Sequence, residues 1–157
     1  MKIVIIFGTE SGTAEFVAND LADAIRDADE GIEVDVVDLA DQPVDALDAT
    51  AFHLVVCSTY GDGELPASAR PFYDALQAET PDLTGLRYAV FGMGDSSYVD
   101  TYSHGSEIID QALRERGATR EGEYGRHDAS GRDQASDVAL VWLEGIRQDV
   151  LAPLTTK

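Results

Sequence analysis

Uninterrupted apolar runs alternate along this chain with amphipathic segments of helical period, and that alternation constrains the fold more than any other feature. Ile3 to Phe7 is continuously apolar and ends at Gly8, as expected of a strand covered on both faces in a parallel sheet. From Thr13 to Asp29, Ala14, Val17, Ala18, Leu21, Ala24, Ile25 and Ala28 recur at helical spacing, while Glu15, Asp20, Asp23 and Asp27 lie elsewhere on the wheel. This predicts a first helix. Glu33 to Asp38 alternates around Val34 and Val36 and reads as a second strand at a sheet edge, and Phe52 to Cys57 reads as the third. Ser68 to Ala78 sets Ala69, Phe72 and Leu76 on one helical face behind Pro66, with Ser68 as a cap. Tyr88 to Phe91, closed by Gly92, is a fourth strand; Ile108, Ile109, Ala112 and Leu113 mark a helix that Gly117 stops. Thr119 to Tyr124 reads as a weak fifth strand, and Val138 to Val150, with Val141, Trp142 and Ile146, as a last helix. Five strands alternating with helices predict an α/β fold, a doubly wound parallel sheet.

The 157 residues, 44% of them apolar, suit one core and one domain over 1–157. The apolar N-terminal run is too short for a secretory signal, and no stretch approaches the ~20 apolar residues of a membrane span. A cytoplasmic protein is expected. Cys57 is the single cysteine, which excludes an internal disulfide and a thiolate metal cluster. It reads as a small core residue. His53, His104 and His127 have no metal-ligand spacing, so no metal site is expected. No Ser-His-Asp or Cys-His arrangement arises from their positions either.

Charge excludes other classes. Thirty acids against 11 bases give a net charge of -19, which repels nucleic acid and anionic membrane and favours partners with basic faces. The acids, 19 Asp and 11 Glu, are spread along the chain, and lysine occurs only at Lys2 and Lys157. A dispersed excess of this kind suggests a high-salt cytoplasm, where screening over a few ångströms makes self-repulsion tolerable.

In open sheets of this type a ligand lies outside the C-terminal strand ends, at the switch point of the strand order. Three glycine- and hydroxyl-rich segments fall at such ends. Gly8-Thr9-Glu10-Ser11-Gly12-Thr13-Ala14 follows the first strand, Ser58-Thr59-Tyr60-Gly61-Asp62-Gly63-Glu64-Leu65-Pro66 the third, and Gly92-Met93-Gly94-Asp95-Ser96-Ser97-Tyr98 through Gly105 the fourth. The first runs into a helix N-terminus, where unpaired amides and the helix dipole favour an anion. Thr9, Ser11 and Thr13 supply three hydroxyls around Gly12. A plain strand-to-helix turn with Thr13 as N-cap is the alternative. No Gly-Lys-Ser/Thr ending and no G-x-G-x-x-G are present, so the loop suits one terminal phosphate monoester. Tyr60 on one loop, and Tyr98 with Tyr102 on another, could clamp a flat ring system.

Together the three segments resemble flavodoxins and the FMN domains of diflavin reductases. Gly94-Asp95-Ser96-Ser97-Tyr98 with Asp100-Thr101-Tyr102 is similar to the short MioC-type proteins, and the likeness extends through Pro71-Phe72-Tyr73 and Pro81-Asp82-Leu83. The resemblance implies a flavodoxin-like sheet of order 2-1-3-4-5 in short-chain form, without the insertion that splits the fifth strand in long-chain members, and FMN as cofactor. It implies that Thr9, Glu10, Ser11, Gly12, Thr13 and Ala14 surround the phosphate. Ser58, Thr59, Tyr60, Gly61, Asp62 and Gly63 would flank one ring face and its N5 edge. Gly94, Asp95, Ser97, Tyr98, Asp100, Tyr102 and Ser103 would cover the other face and the pyrimidine edge. Glu10 departs from expectation: a carboxylate in a phosphate loop is tolerable only if its side chain points to solvent. Tyr102 and Ser103 stand where related proteins often carry Phe and Cys.

The function implied is one-electron transfer between an NAD(P)H-dependent flavodoxin/ferredoxin reductase and an acceptor enzyme with a basic docking face. A self-standing FMN-dependent NAD(P)H:quinone-type oxidoreductase is the alternative, since the flavin carries the chemistry in both. A phosphoacceptor receiver domain would need acids at the end of the first strand and a lysine after the fifth. Here Phe7-Gly8-Thr9 ends the first strand, and no lysine lies between Lys2 and Lys157.

Overall fold

The computed structural model describes residues 2–10, 12–60, 64–94, 104–128 and 133–148. Strands β1 (Lys2–Gly8), β2 (Glu33–Asp38), β3 (Phe52–Cys57), β4 (Arg87–Gly94), β5 (Thr119–Arg120) and β6 (Gly125–Asp128) alternate with helices α1 (Thr13–Ala28), α2 (Arg70–Glu79), α3 (His104–Glu115) and α4 (Ala135–Ile146). The sheet is parallel in the order β2-β1-β3-β4-β5, with β6 also paired to β4, so β5 and β6 fill the fifth position in succession. This is the doubly wound sheet of order 2-1-3-4-5 that the sequence predicts. β2 lies at an edge, as its alternating pattern suggests.

Successive side chains of a strand point to opposite faces, so continuously apolar strands feed two cores. Ile3, Ile5 and Phe7 pack with Leu54, Val56, Ala89 and Phe91 beneath α1 and α4. Val4, Ile6, Val55, Cys57, Tyr88 and Val90 pack beneath α2 and α3 on the other face. Ala69, Phe72 and Leu76 are buried, as their helical spacing requires.

Several expectations need correction. β4 does not close at Gly92: Gly92 pairs with Cys57 on one side and Arg126 on the other, and the strand continues to Gly94. The fifth strand expected over Thr119 to Tyr124 pairs only at Thr119 and Arg120, then resumes at Gly125. The intervening Tyr124 ring is met by the guanidinium groups of Arg120 and Arg126, 5.1 and 4.1 Å from its centroid. Its hydroxyl meets that of Ser106 on α3. The last helix starts at Ala135 rather than Val138, and its buried face is Ala139, Trp142, Leu143 and Ile146. Val141 falls off this face and is 76% exposed. In α1, Ala22 is buried while Ala28 is exposed. The stretch from Ser68 to Ala78 divides into a 3-10 turn, Ala67–Ala69, and α2 from Arg70. Ser68 is not its cap: Ala69 precedes α2 without a side-chain cap and Pro71 occupies the first turn. The Ser68 hydroxyl turns to the loop after β1 instead.

Candidate functional site

The chain leaves β1 toward β2 on one side of the sheet and later places β3 on the other, so the switch point lies between β1 and β3. The loops after these strands meet there. Ser58 donates to the Gly8 carbonyl through both its backbone N–H and its hydroxyl, each at 3.0 Å. The Ser68 N–H donates to the Thr9 carbonyl (3.2 Å), and the Ser68 Oγ accepts from the Thr9 N–H (2.7 Å). The start of α3 joins the same cluster: the Gly105 N–H donates to Thr59 Oγ1 at 3.0 Å. A Cβ on Gly105 would lie 2.5 Å from the Ser58 carbonyl oxygen, so only glycine permits this approach.

Gly12 opens α1 with φ 97°, a left-handed conformation suited to glycine, and the helix has no side-chain cap. This corrects Thr13 as an N-cap; Thr13 is the first helical residue. The amides of an uncapped first turn have no partner within the helix and project outward with the positive end of the dipole. Gly12 and Thr13 are exposed, and a Cβ on Gly12 would meet nothing within 4 Å. Ala14 is buried beneath them. Thr9 Oγ1 accepts from the Gly12 N–H at 2.8 Å and bridges the loop. Glu10 points away from the helix amides: its Oε1 accepts from the Ala67 N–H at 3.0 Å. The condition that makes a carboxylate tolerable in this loop, a solvent-facing side chain, is met in part: Glu10 is exposed but also bonded to the neighbouring loop.

Tyr60 is 45% exposed at this end of the sheet, in a short antiparallel bridge with Glu64 whose two backbone hydrogen bonds are 2.8 Å. Ser58, Thr59 and Gly94 are half-buried at the ends of β3 and β4. Of the remaining expected site residues, Ser11, Gly61, Asp62, Gly63, Asp95, Ser97, Tyr98, Asp100, Tyr102 and Ser103 lie outside the described residues. Ser68 was missed because a serine ahead of an amphipathic segment reads as a cap. Pro71 three residues later was the available signal, since it supplies the uncapped start itself.

Cys57 is buried beside this cluster, and burial pushes its thiol up to about 12, which suits a core residue rather than a nucleophile. Among the described residues no group of three or more His, Cys, Asp or Glu side chains could hold a metal ion. No helix among them is long and apolar enough to cross a membrane.

A parallel sheet of this order, with an open helix N-terminus at its switch point and the ends of two further loops at the same end, defines a doubly wound, flavodoxin-like α/β protein. The chain belongs to the flavodoxin family, whose sequence model matches residues 5–142. It is similar to Protein MioC of Escherichia coli (strain K12), 33% identical over 90% of this chain and 92% of that protein. It is also similar to the NADPH--cytochrome P450 reductase of Rattus norvegicus, 37% identical over 83% of this chain but only 20% of the reductase. The bifunctional cytochrome P450/NADPH--P450 reductase of Bacillus cereus is 36% identical, and the match spans 12% of its length. Among solved structures, a single-site mutant of flavodoxin from Pseudomonas aeruginosa superposes with a TM-score of 0.82 at 35% identity, covering 96% of this chain and 99% of that one. Flavodoxins bind FMN, and FMN is the cofactor here. The observed seat fits its phosphate end: an uncapped helix start, an open Gly12 and a hydroxyl at Thr9.

Proposed function

We propose that this chain is an FMN-dependent electron carrier, taking electrons from an NAD(P)H-dependent flavodoxin/ferredoxin-type reductase and delivering them singly to an acceptor enzyme in the cytoplasm. The carrying observation is the open N-terminus of α1 at the switch point, with the partly exposed Tyr60 on the loop after β3. Bound FMN supplies the electron-accepting ring. The chain's own residues bind and orient it. The amides at the start of α1, with Thr9, Ser11 and Thr13, take the phosphate, and Glu10, Gly12 and Ala14 shape its loop. Ser58 to Gly63 flank one ring face, with Tyr60 as the stacking side chain. Gly94, Asp95, Ser97, Tyr98, Asp100, Tyr102 and Ser103 serve the other face and the pyrimidine edge. The net charge of -19 favours reductase and acceptor faces rich in Lys and Arg. Relatives named as P450 reductases carry comparable sequence within much longer chains, which supports a place between a reductase and an acceptor.

Absorption spectroscopy of the purified protein tests this. A flavin band that releases FMN on denaturation is expected, persisting when NAD(P)H is added alone and bleaching once a flavodoxin reductase is supplied. Rapid bleaching by NAD(P)H alone would refute the carrier reading in favour of a self-standing oxidoreductase.

A further inference from the structure

We infer that Ser68, with Glu10 beside it, is a positioning residue that aims the Thr9 hydroxyl at the flavin phosphate; this rests on the FMN reading above. The chain between Ser58 and Ser68 leaves and returns beside the same three residues, Gly8, Thr9 and Glu10. At the outgoing end Ser58 bonds the Gly8 carbonyl twice. At the returning end Ser68 engages both backbone groups of Thr9, accepting from its N–H at 2.7 Å and donating to its carbonyl at 3.2 Å. Thr9 is thereby held at both its donor and its acceptor.

The consequence lies in the Thr9 side chain. Its Oγ1 accepts the Gly12 N–H at 2.8 Å, which uses an oxygen lone pair and leaves the hydroxyl proton for another acceptor. A hydroxyl that accepts from an amide is polarised into a better donor. Gly12 is the residue immediately before the open helix, so the Thr9 proton is held at the edge of the anion seat. The Ser68 side chain therefore acts on the phosphate through Thr9, without needing to touch it.

Glu10 completes the same seam. Its carboxylate accepts from the Ala67 N–H, at the start of the 3-10 turn, and among the described residues from no amide of its own loop. The bond keeps an acid in the loop sequence from competing with a phosphate for the α1 amides. An amide oxygen can accept the same bond, so the role needs an acceptor at position 10 but no charge.

Fluorescence titrations of the apoprotein with FMN and with riboflavin, which lacks the phosphate, test this. Ser68→Ala should weaken FMN about three- to tenfold, the range for losing one positioned hydrogen bond, and riboflavin less than about twofold. Ser68→Thr, which keeps the hydroxyl, should restore wild-type discrimination. Equal losses for both ligands in Ser68→Ala, unchanged FMN affinity, or no rescue by threonine would overturn the inference and leave the FMN reading standing. If Ser68→Ala does not fold, Thr9→Val decides: it removes the hydroxyl through which Ser68 acts, so FMN should weaken several-fold and riboflavin less than about twofold, and equal losses for both ligands or an unchanged FMN affinity would overturn the inference. Wild type that binds neither flavin would overturn both readings.

Discussion

Gly105→Ala tests whether the start of α3 must touch the loop after β3. The added Cβ would lie 2.5 Å from the Ser58 carbonyl oxygen and 3.0 Å from Thr59 Cα, both backbone atoms that cannot rotate away. Reaching ordinary contact requires the helix start to retreat by about 0.9 Å, which carries the 3.0 Å bond from the Gly105 N–H to Thr59 Oγ1 out of range. Losing that bond costs about 1 kcal/mol, and forcing the backbone apart about 1–3 kcal/mol. The helix preference for alanine over glycine returns about 1 kcal/mol. The net loss of about 1–3 kcal/mol should lower Tm by about 2–12 °C in a chain of this size. Circular dichroism melts of the apoprotein read it directly. Gly145→Ala is the control, because a Cβ there meets nothing within 4 Å in α4; it should be neutral or stabilise by up to about 1 kcal/mol. Equal melting of the two variants would refute the close approach.

His53 is buried in β3, and burial is the main cause that lowers its pKa, outweighing the Ala51 backbone bond and Asp48, while Lys2 lowers it further. Between the folded and the ordinary value of 6.5 the unfolded chain binds more protons, so this contribution is full above pH 6.5 and is lost as pH falls through the folded value; urea titrations from pH 7 downward should show a slope that His53→Gln flattens. The Cys57 thiol, pushed up to about 12 by burial, should react with a thiol reagent only in denaturant, and labelling of the native protein at neutral pH would contradict its placement. With a net charge of -19, stability and FMN retention should rise from low to molar salt; a flat or falling Tm over that range would remove self-repulsion, and with it the high-salt reading of the composition.

Two strands are legible to the residue. Glu33–Asp38 and Phe52–Cys57 have the bounds expected, because their β-branched content and pattern coincide with their place in the sheet. The fifth position is not legible. Gly125–Asp128 reads Gly-Arg-His-Asp, with no strand preference of its own. It is held by β4 and by Trp142, which packs 5.4 Å from Phe91 and donates to the Glu123 carbonyl at 2.7 Å. Val141 misleads because three adjacent apolar residues cannot all face one core in a helix, and only the register decides which one turns out. The composition of the loops points to the end of the sheet where the hydrogen bonds between them cluster. It does not reveal the bonds that join them, because a serine accepting from a distant amide has the same letter as a serine capping its own helix.

The bonds that close the proposed cofactor seat join residues far apart in the chain: 50 positions for Ser58 and Gly8, 59 for Ser68 and Thr9, 57 for Ala67 and Glu10, and 46 for Gly105 and Thr59. Contacts of that separation form only after the entropy of closing the intervening chain has been met, here by aligning β1, β3 and β4. The seat is thus expected to form late in folding rather than to seed it. A peptide carrying only the loop after β1 and the helix that follows would lack Ser58, Ala67 and Ser68. FMN should accordingly slow unfolding of the finished protein more than it accelerates folding of the chain.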